Sequence, residues 1–144
     1  CETTMEFVSP EGLRQDGRRA NDLRRMRFEM GIFQGADGSA SAQHGNTKAL
    51  AVVYGPHETL KGQAHHDRAK ITCEYSTATF STVERKRRAK GDRKSSEMEE
   101  MIIRTFEEVI VCNIYPRSEI NIFVQILQSD GGGFKCVCVC VCVC

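Results

Sequence analysis

Residues 78–111 read ATFSTVERKRRAKGDRKSSEMEEMIIRTFEEVIV and contain the strongest helix pattern of the chain. Ser96 and Glu99 have the spacing of a capping box, which predicts a helix that starts at Ser96. Apolar residues then recur at helical spacing on one face, and charged residues fill the other. The predicted apolar face comprises Met98, Met101, Ile102, Thr105, Phe106, Val109 and Ile110. Such a face must pack on another element, most simply on a sheet.

A dense cluster of cations precedes this helix. It comprises Arg85, Lys86, Arg87, Arg88, Lys90, Arg93 and Lys94, with Asp92 as the one acidic residue among them. Like charges at this density repel one another unless an anion lies nearby, and helix N-termini also attract anions. The cluster predicts contact with nucleic-acid phosphates, independent of sequence and sensitive to salt. A nuclear localisation signal and a solvated surface are the alternatives, but the position between a strand and a capped helix favours binding.

Short β-type segments surround the helix. The predicted strands are residues 27–34, 39–43, 47–54, 70–80 and 119–128. The first two flank the turn sequence Gly35-Ala36-Asp37-Gly38, which predicts a hairpin. The third is an apolar run closed by Gly55-Pro56, as in a central strand buried on both faces, and the last has apolar residues on both sides, as in an internal strand. Several strands, a helix and a further strand predict an α+β fold of two layers.

Residues 9–31 alternate charged residues with few apolar ones and predict an extended arm with a turn at Asp16-Gly17. A solvated arm held by arginine salt bridges is favoured over direct ligand binding. Residues 1–8 are interpreted as a leader of uncertain origin.

Length and composition favour one domain, since the chain has 144 residues and a formal net charge of +1. The small net charge hides the segregation between the basic cluster and the acid-rich helix behind it. The sequence has neither an apolar run near the ~20 residues of a membrane span nor a secretory signal pattern, which predicts an intracellular protein without membrane contact. Cys73 and Cys112 lie in apolar surroundings typical of reduced cysteine.

Residues 134–144, FKCVCVCVCVC, form a tail of alternating cysteine and valine. Translation of a GT dinucleotide repeat gives this pattern, so the tail is interpreted as aberrant. A thiolate metal cluster is the less favoured alternative, and no metal site is predicted. His65-His66-Asp67 is interpreted as a surface loop rather than a ligand set, and no nucleophilic triad, P-loop or zinc ribbon pattern is present in the sequence.

Several separate motifs in one order resemble the RNase PH family over residues 9–132, within a predicted domain of residues 9–133. They are Leu13-Arg14-Gln15-Asp16-Gly17-Arg18-Arg19, Gly45-Asn46-Thr47-Lys48, Val52-Val53-Tyr54-Gly55-Pro56, Ala78-Thr79-Phe80-Ser81-Thr82, Glu84-Arg85-Lys86-Arg87-Arg88, Tyr115-Pro116-Arg117, Val124-Gln125-Ile126-Leu127-Gln128 and Asp130-Gly131-Gly132. Within the family, the pattern is most similar to the eukaryotic RNA exosome ring subunit that corresponds to the archaeal catalytic ring subunit.

The resemblance implies a β-α-β-α fold of the ribosomal protein S5 domain 2 type. It implies a hexameric ring around a channel for single-stranded RNA, with other RNase PH-like ring subunits and RNA-binding cap subunits as partners. Carried over by position, Arg85, Lys86, Arg87 and Arg88 match the motif that meets RNA in the channel. The implied roles are rRNA maturation and mRNA decay, and the implied locations are the nucleus, nucleolus and cytoplasm.

The chain departs from the active members of the family after Gly132. Those members continue with Ser or Thr and then Arg, which hold phosphate, whereas Gly133 and Phe134 stand here. The acidic residue of general acid catalysis belongs to a later part of the family pattern. We therefore expect an incomplete fold without a second helix, with one sheet face uncovered, and a noncatalytic, RNA-binding ring subunit without cofactors. The alternative is a phosphate-dependent 3′–5′ exoribonuclease that uses inorganic phosphate as co-substrate.

Overall fold

Five strands and a long helix make up most of the regular structure in the computed structural model, which describes residues 9–14, 16–59, 67–81, 92–129, 137 and 140. The strands are β1 (Met26–Met30), β2 (Gly38–His44), β3 (Thr47–Glu58), β4 (Lys70–Thr77) and β5 (Ser118–Gln128), and the helix is α1 (Arg93–Val109). Short 3-10 helices at Thr79–Ser81 and Cys112–Ile114 follow β4 and α1. Among the described helices, none is long and apolar enough to span a bilayer.

The strands form one sheet in the order β1-β2-β3-β5-β4. Neighbours are antiparallel except β4 and β5, which run parallel and need a crossover between them. The segment containing α1 provides it. The helix lies over β4 and its buried residues join the core of the sheet, so the predicted two-layer α+β architecture is confirmed.

The predicted hairpin is confirmed, although its first strand is shorter than expected. β1 pairs with β2 from Met26 opposite His44 to Met30 opposite Ala40. Beyond Met30, the backbone amide of Gly31 donates to the Ser39 carbonyl at 2.8 Å, and the Phe33 amide donates to Ser39 Oγ at 2.9 Å. The chain after Met30 therefore folds onto Ser39 instead of continuing the ladder.

The prediction that β3 is buried on both faces is wrong. Thr47, Ala49 and Ala51 are buried, whereas the residues between them are exposed or half-buried. The sheet packs on one face only, so its strands alternate in burial. β3 also continues past Gly55-Pro56 to Glu58, with a register shift between Tyr54 and His57. The prediction that β5 is internal is confirmed, since it lies between β3 and β4.

The packed face is lined by alternating residues of four strands. The core residues of the sheet are Ala40, Ala42, Ala49, Ala51, Ile71, Cys73, Ile120, Ile122, Val124 and Ile126. β5 contributes four of them and β2 and β3 contribute alanines, which leave room for whatever packs on that half of the sheet.

Helix α1 buries a narrower stripe than the one predicted. Ile102 and Phe106 are buried and Ile103 and Ile110 partly so, but Met101 is 49% exposed and Val109 is 67% exposed. The helix packs on β4, the last strand on one side of the sheet. This surface is too narrow to cover a broad apolar face of the helix. Its inner stripe alone reaches the core, and the apolar residues one helical step away face outward.

Two residues of the cysteine–valine tail are part of the core. Val137 and Cys140 are helical and fully buried. The Cys140 thiol donates to the Ala40 carbonyl at 3.0 Å and lies 3.8 Å from the Ala49 carbonyl. The expectation that no helix follows and that this sheet face stays uncovered is therefore wrong at these positions. Small alanines on β2 and β3 give the side chains room, and free cysteine packs as a small apolar residue.

The arm before β1 is held by its own arginines, as predicted. Arg14 and Arg18 close a turn in which Gly17 has a φ of 76°, with the Arg14 amide donating to the Arg18 carbonyl at 2.9 Å. The Arg18 guanidinium lies 2.6 Å from the Asp16 carboxylate and also donates to the Asp22 carbonyl at 2.9 Å. The hydrogen bond from Arg18 lowers the pKa of Asp16 below its ordinary value.

Candidate nucleic-acid interface

The four residues predicted to contact RNA, Arg85, Lys86, Arg87 and Arg88, lie outside the described residues, as do residues 130–134 with the departure from the phosphate clamp. The structure describes the chain up to Ser81 and again from Asp92. The residues that hold the two ends of the basic segment therefore define where the segment is attached to the fold.

The entry to the basic segment is fixed to the end of β4. The Ala78 amide donates to the Ile126 carbonyl of β5 at 2.9 Å, and the Ser81 amide donates to the Ala78 carbonyl at 2.9 Å. Ala78 is buried. The Ser81 hydroxyl is also buried and has no hydrogen-bond partner among the described residues. The first anchor of the segment is thus the C-terminal end of two adjacent strands.

The exit from the basic segment is the first turn of α1. Asp92 is the N-cap and accepts a hydrogen bond from the Ser96 amide through its backbone carbonyl at 3.0 Å. Arg93 and Lys94 are exposed in the first turn, which is wholly described and holds no acidic residue. The positive end of a helix normally disfavours cations. Arg93 offsets this effect in part by pairing with the Glu97 carboxylate of the next turn at 3.1 Å, and Lys94 adds its charge beside it.

The predicted capping box is wrong, because the helix starts earlier than Ser96 and Glu99 has another partner. Glu99 Oε1 accepts a hydrogen bond from the Tyr75 backbone amide of β4 at 3.0 Å. Ser96 lies inside the first turns of α1. Tyr75 belongs to an edge strand of the described sheet, so its amide needs a partner other than a strand. The Glu99 carboxylate supplies that partner and joins the start of the helix to the end of β4.

Two contacts set the direction of α1 against the sheet. Glu99 near its start meets Tyr75 near the end of β4, and the Cys112 carbonyl beyond its end accepts from the Ala69 amide just before β4 at 2.9 Å. The helix therefore runs antiparallel to β4. Its N-terminus lies at the same sheet edge as the C-terminal ends of β4 and β5. In open α/β sheets, ligands bind at this edge of the parallel strands.

The same ends of the strands carry a row of polar residues that crosses β1, β2, β3 and β5. Pairing places Arg27 opposite Gln43, Gln43 opposite Lys48 and Lys48 opposite Gln128. This row crosses β1, β2, β3 and β5 at the edge to which the basic segment is attached. We call it the basic row. Sequence reasoning missed it because Arg27 and Lys48 are separated along the chain by the whole hairpin.

A small polar cavity lies at the outer end of the basic row. It has a volume of about 140 Å³ and is lined by Arg25, Arg27, Gln43 and Gly45. The Gln43 side-chain amide donates to the Gly45 carbonyl at 3.2 Å, and the Gly45 amide donates to the Arg25 carbonyl at 2.9 Å. The alternation Arg25-Met26-Arg27 at the start of a predicted strand was the sequence feature that could have indicated a shared position for the two arginines.

The titratable groups elsewhere do not form a catalytic constellation within the described ranges. Burial, and to a smaller extent the Glu99 carboxylate, raise the pKa of the Cys73 thiol to about 12, so this thiol stays protonated at neutral pH. His57 Nε2 lies 3.9 Å from Asp37 Oδ2 on the opposite sheet edge, and both side chains are largely exposed. In the part of the chain that the structure covers, no group of three or more possible ligand side chains could hold a metal ion.

Comparison with known proteins places the chain in a family. Residues 22–144 match the RNase PH family, described as the 3′ exoribonuclease family, domain 1. The chain is 55% identical over 132 residues to the exosome complex component RRP41 of Homo sapiens. The aligned region covers 90% of this chain and 54% of that protein. It is 50% identical over 130 residues to the RRP41 homolog of Arabidopsis thaliana, covering 89% of this chain and 54% of that protein.

More distant relatives follow the same pattern. The exosome complex component Rrp41 of Thermococcus onnurineus is 38% identical over 129 residues, which are 89% of this chain and 51% of that protein. The chain thus spans about half the length of the curated relatives it matches. The crystal structure of rice (Oryza sativa) Rrp46 shares the fold with a TM-score of 0.73 at 24% identity, covering 88% of this chain and 57% of that chain. Because the family match extends over most of the sequence, the chain belongs to the RNase PH family of 3′ exoribonucleases, as its motifs predict.

Proposed function

We propose that this chain acts in a ring subunit of an RNA exosome and guides single-stranded RNA during 3′–5′ processing and decay without cleaving it. The observation that carries the assignment is the 55% identity, over 90% of the chain, to a protein named as an exosome complex component. Because the chain spans about half of that relative, the activity and the partners of the whole protein belong to the proposal.

RNA contact is assigned to Arg85, Lys86, Arg87 and Arg88. Support comes from the two anchors of the segment that carries them, which are the C-terminal end of β4 and the first turn of α1. The ten residues between Ser81 and Asp92 connect these two anchors along the chain. Arg93 and Lys94 extend the positive charge into the helix, and Lys48 extends it onto β3. Phosphates contacted there would be held without regard to base sequence.

The noncatalytic role rests on the residues after Gly132. Gly133 and Phe134 offer neither the hydroxyl nor the guanidinium with which active family members hold phosphate. No cofactor is needed for RNA guidance. The second candidate function is phosphorolytic 3′–5′ exoribonuclease activity, which the family's own description favours. It predicts release of nucleoside diphosphates from RNA only when inorganic phosphate is supplied.

The proposed partners are other RNase PH-like ring subunits and RNA-binding cap subunits. The relatives named as exosome components support the first of these. The proposed processes are rRNA maturation and mRNA decay, and the proposed locations are the nucleus, nucleolus and cytoplasm.

Two measurements test the proposal. The tagged full chain should co-purify with exosome ring subunits, and a chain that stays monomeric in their presence would contradict the ring assignment. The triple variant Arg85→Ala/Arg87→Ala/Arg88→Ala should bind RNA more weakly. The slope of log K against log salt concentration should become shallower by about 2. Unchanged binding would contradict the assignment of the basic segment.

A further inference from the structure

We infer that Arg25 and Arg27 form a second phosphate-binding site, on the first hairpin, which holds the RNA backbone beyond the reach of the basic segment. This inference rests on the proposed function and adds a contact that the family resemblance does not assign. The site is the polar cavity lined by Arg25, Arg27, Gln43 and Gly45.

The two arginines are placed to act on one strand of RNA. Arg27 is the second residue of β1, Arg25 directly precedes the strand, and both line the same cavity. Both side chains are exposed, and in the described parts of the chain neither has an ion pair or a hydrogen-bond partner. Glu29 follows on the same face of β1 but makes no ion pair with Arg27. Guanidinium groups bind phosphate through two parallel hydrogen bonds, which suits this pair.

The backbone around the cavity is held in place by hydrogen bonds. The Gly45 amide donates to the Arg25 carbonyl, which joins the β2–β3 turn to the start of β1. Gly45 has a φ of 64°, and a Cβ there would lie 3.3 Å from Arg24 Cδ, so the turn fits closely against the arm. Gln43 is held by its bond to the Gly45 carbonyl and keeps a second amide hydrogen for an anion. The two guanidinium groups therefore extend from a well-supported hairpin.

The position of the site on the sheet connects it with the basic segment. The site lies at the same ends of the strands as Ser81, the last described residue before the basic segment, with the basic row between them. Four strand spacings separate β1 from β4, which is roughly 19 Å at about 4.8 Å per strand. An RNA of a few nucleotides can span that distance, with Lys48 near the middle. Arg18 and Arg104 are less suited, since Arg18 pairs with Asp16 and Arg104 pairs with Glu100.

The test compares charge-matched variants of the full chain. A labelled single-stranded RNA of about twelve nucleotides, within the range held by single-strand binding grooves, is titrated by fluorescence anisotropy at several salt concentrations. R25Q/R27Q should weaken binding roughly tenfold and reduce the magnitude of the salt slope by about 1.4, which corresponds to two lost phosphate contacts. The control R68Q/R104Q removes the same charge from the opposite sheet edge and the outer helix face, and should change affinity by less than about twofold.

Further arms separate the possible outcomes. R25K/R27K keeps both charges and should keep the salt slope while losing part of the affinity, because lysine cannot bind phosphate in bidentate fashion. Far-UV circular dichroism and urea unfolding check that each variant folds.

If the triple variant of the basic segment weakens binding but R25Q/R27Q does not, the hairpin site is wrong and the proposed function stands. If the unaltered chain does not bind RNA, both are wrong. If R25Q/R27Q loses ring subunits but not RNA affinity, the pair contacts protein, which also overturns the inference.

Discussion

Glu99 of α1 accepts a hydrogen bond from the backbone amide of Tyr75 at 3.0 Å, which joins the start of the helix to the outermost described strand. This contact holds the helix N-terminus at the sheet edge where the parallel strands end. It also fixes the point from which the basic segment returns to the fold. The position of the first turn of α1 in the proposed RNA contact thus depends on this carboxylate.

Substitution of Glu99 should destabilise the fold by an amount that depends on whether the new side chain can accept the hydrogen bond from the Tyr75 amide. Glu99→Ala leaves the Tyr75 amide without its partner and should lower the free energy of unfolding by about 1–2 kcal/mol. Glu99→Gln keeps an acceptor oxygen and should cost less than about 1 kcal/mol. Urea unfolding measures both. Equal losses for the two variants would mean that the hydrogen bond is not the cause.

The buried Cys73 thiol should make stability fall at high pH. Its pKa is about 12 in the fold against 9.0 for the ordinary group, so between these values the folded state retains a proton that the unfolded state has lost. The unfolded chain binds fewer protons in that range, and the free energy of unfolding therefore decreases as pH rises above 9. Urea unfolding measures the free energy of unfolding at pH 8 and at pH 10.5. Between these pH values it should decrease less for Cys73→Ala than for the unaltered chain. An equal decrease in both would contradict the raised pKa.

Neighbouring residues of α1 should differ sharply in their contribution to stability. Ile102 has no exposed surface, so Ile102→Ala should lower the free energy of unfolding by about 3 kcal/mol through lost burial and a cavity. Met101 is half exposed, and Met101→Ala should cost under about 1 kcal/mol. Chemical denaturation of the two variants compares them directly. Similar losses would indicate that the helix packs with the face predicted from the sequence.

Glycine is required at position 55 for steric reasons. Its φ is 131°, and a Cβ there would lie 2.8 Å from the Glu119 carbonyl oxygen and 3.1 Å from Ile120 Cα on the paired strand. Gly55→Ala should cost roughly 3 kcal/mol or more, because the Cβ would clash with backbone atoms of β5 and alanine disfavours this φ. Gly35→Ala is the control, since a Cβ there meets nothing within 4 Å. A thermal melt in which both variants match the unaltered chain would exclude this clash.

Cys140 should contribute to stability as a core residue. It is fully buried and its thiol donates to the Ala40 carbonyl. Cys140→Ala removes the sulfur from a packed site and should lower the free energy of unfolding by about 1–2 kcal/mol. Cys112→Ala, at a partly exposed position, should cost less. Were the tail free of the sheet, Cys140→Ala would leave the unfolding midpoint unchanged.

Much of the fold was predictable from local patterns. The turn sequence Gly35-Ala36-Asp37-Gly38 predicts the first hairpin, and the alternation of Ile120, Ile122, Val124 and Ile126 predicts the buried side of β5. These predictions hold because turns and strand alternation depend on neighbours within a few residues. The ordered motifs likewise identified the family.

The candidate site was predictable only in part. A run of cations before a helix is visible in the sequence, and its residues Arg85, Lys86, Arg87 and Arg88 remain predictions. Arg25 belongs to a segment interpreted as a solvated arm, and Arg27 also begins a predicted hairpin strand, but the sequence does not show which side chains of the other strands lie in line with them. Their place beside Gln43 and in line with Lys48 follows from strand register.

The sequence by itself determined the strands, the helix and the family, because short-range spacing and ordered motifs encode them. Tertiary structure alone decided which stripe of α1 is buried, since the sheet edge accepts Ile102 and Phe106 and leaves Met101 and Val109 outside. It also decided that Glu99 serves β4 rather than a helix cap, and that Val137 and Cys140 fill space above the alanines of β2 and β3. Each of these outcomes depends on which surface lies opposite a residue. That is a property of strand order and packing, which no local pattern contains.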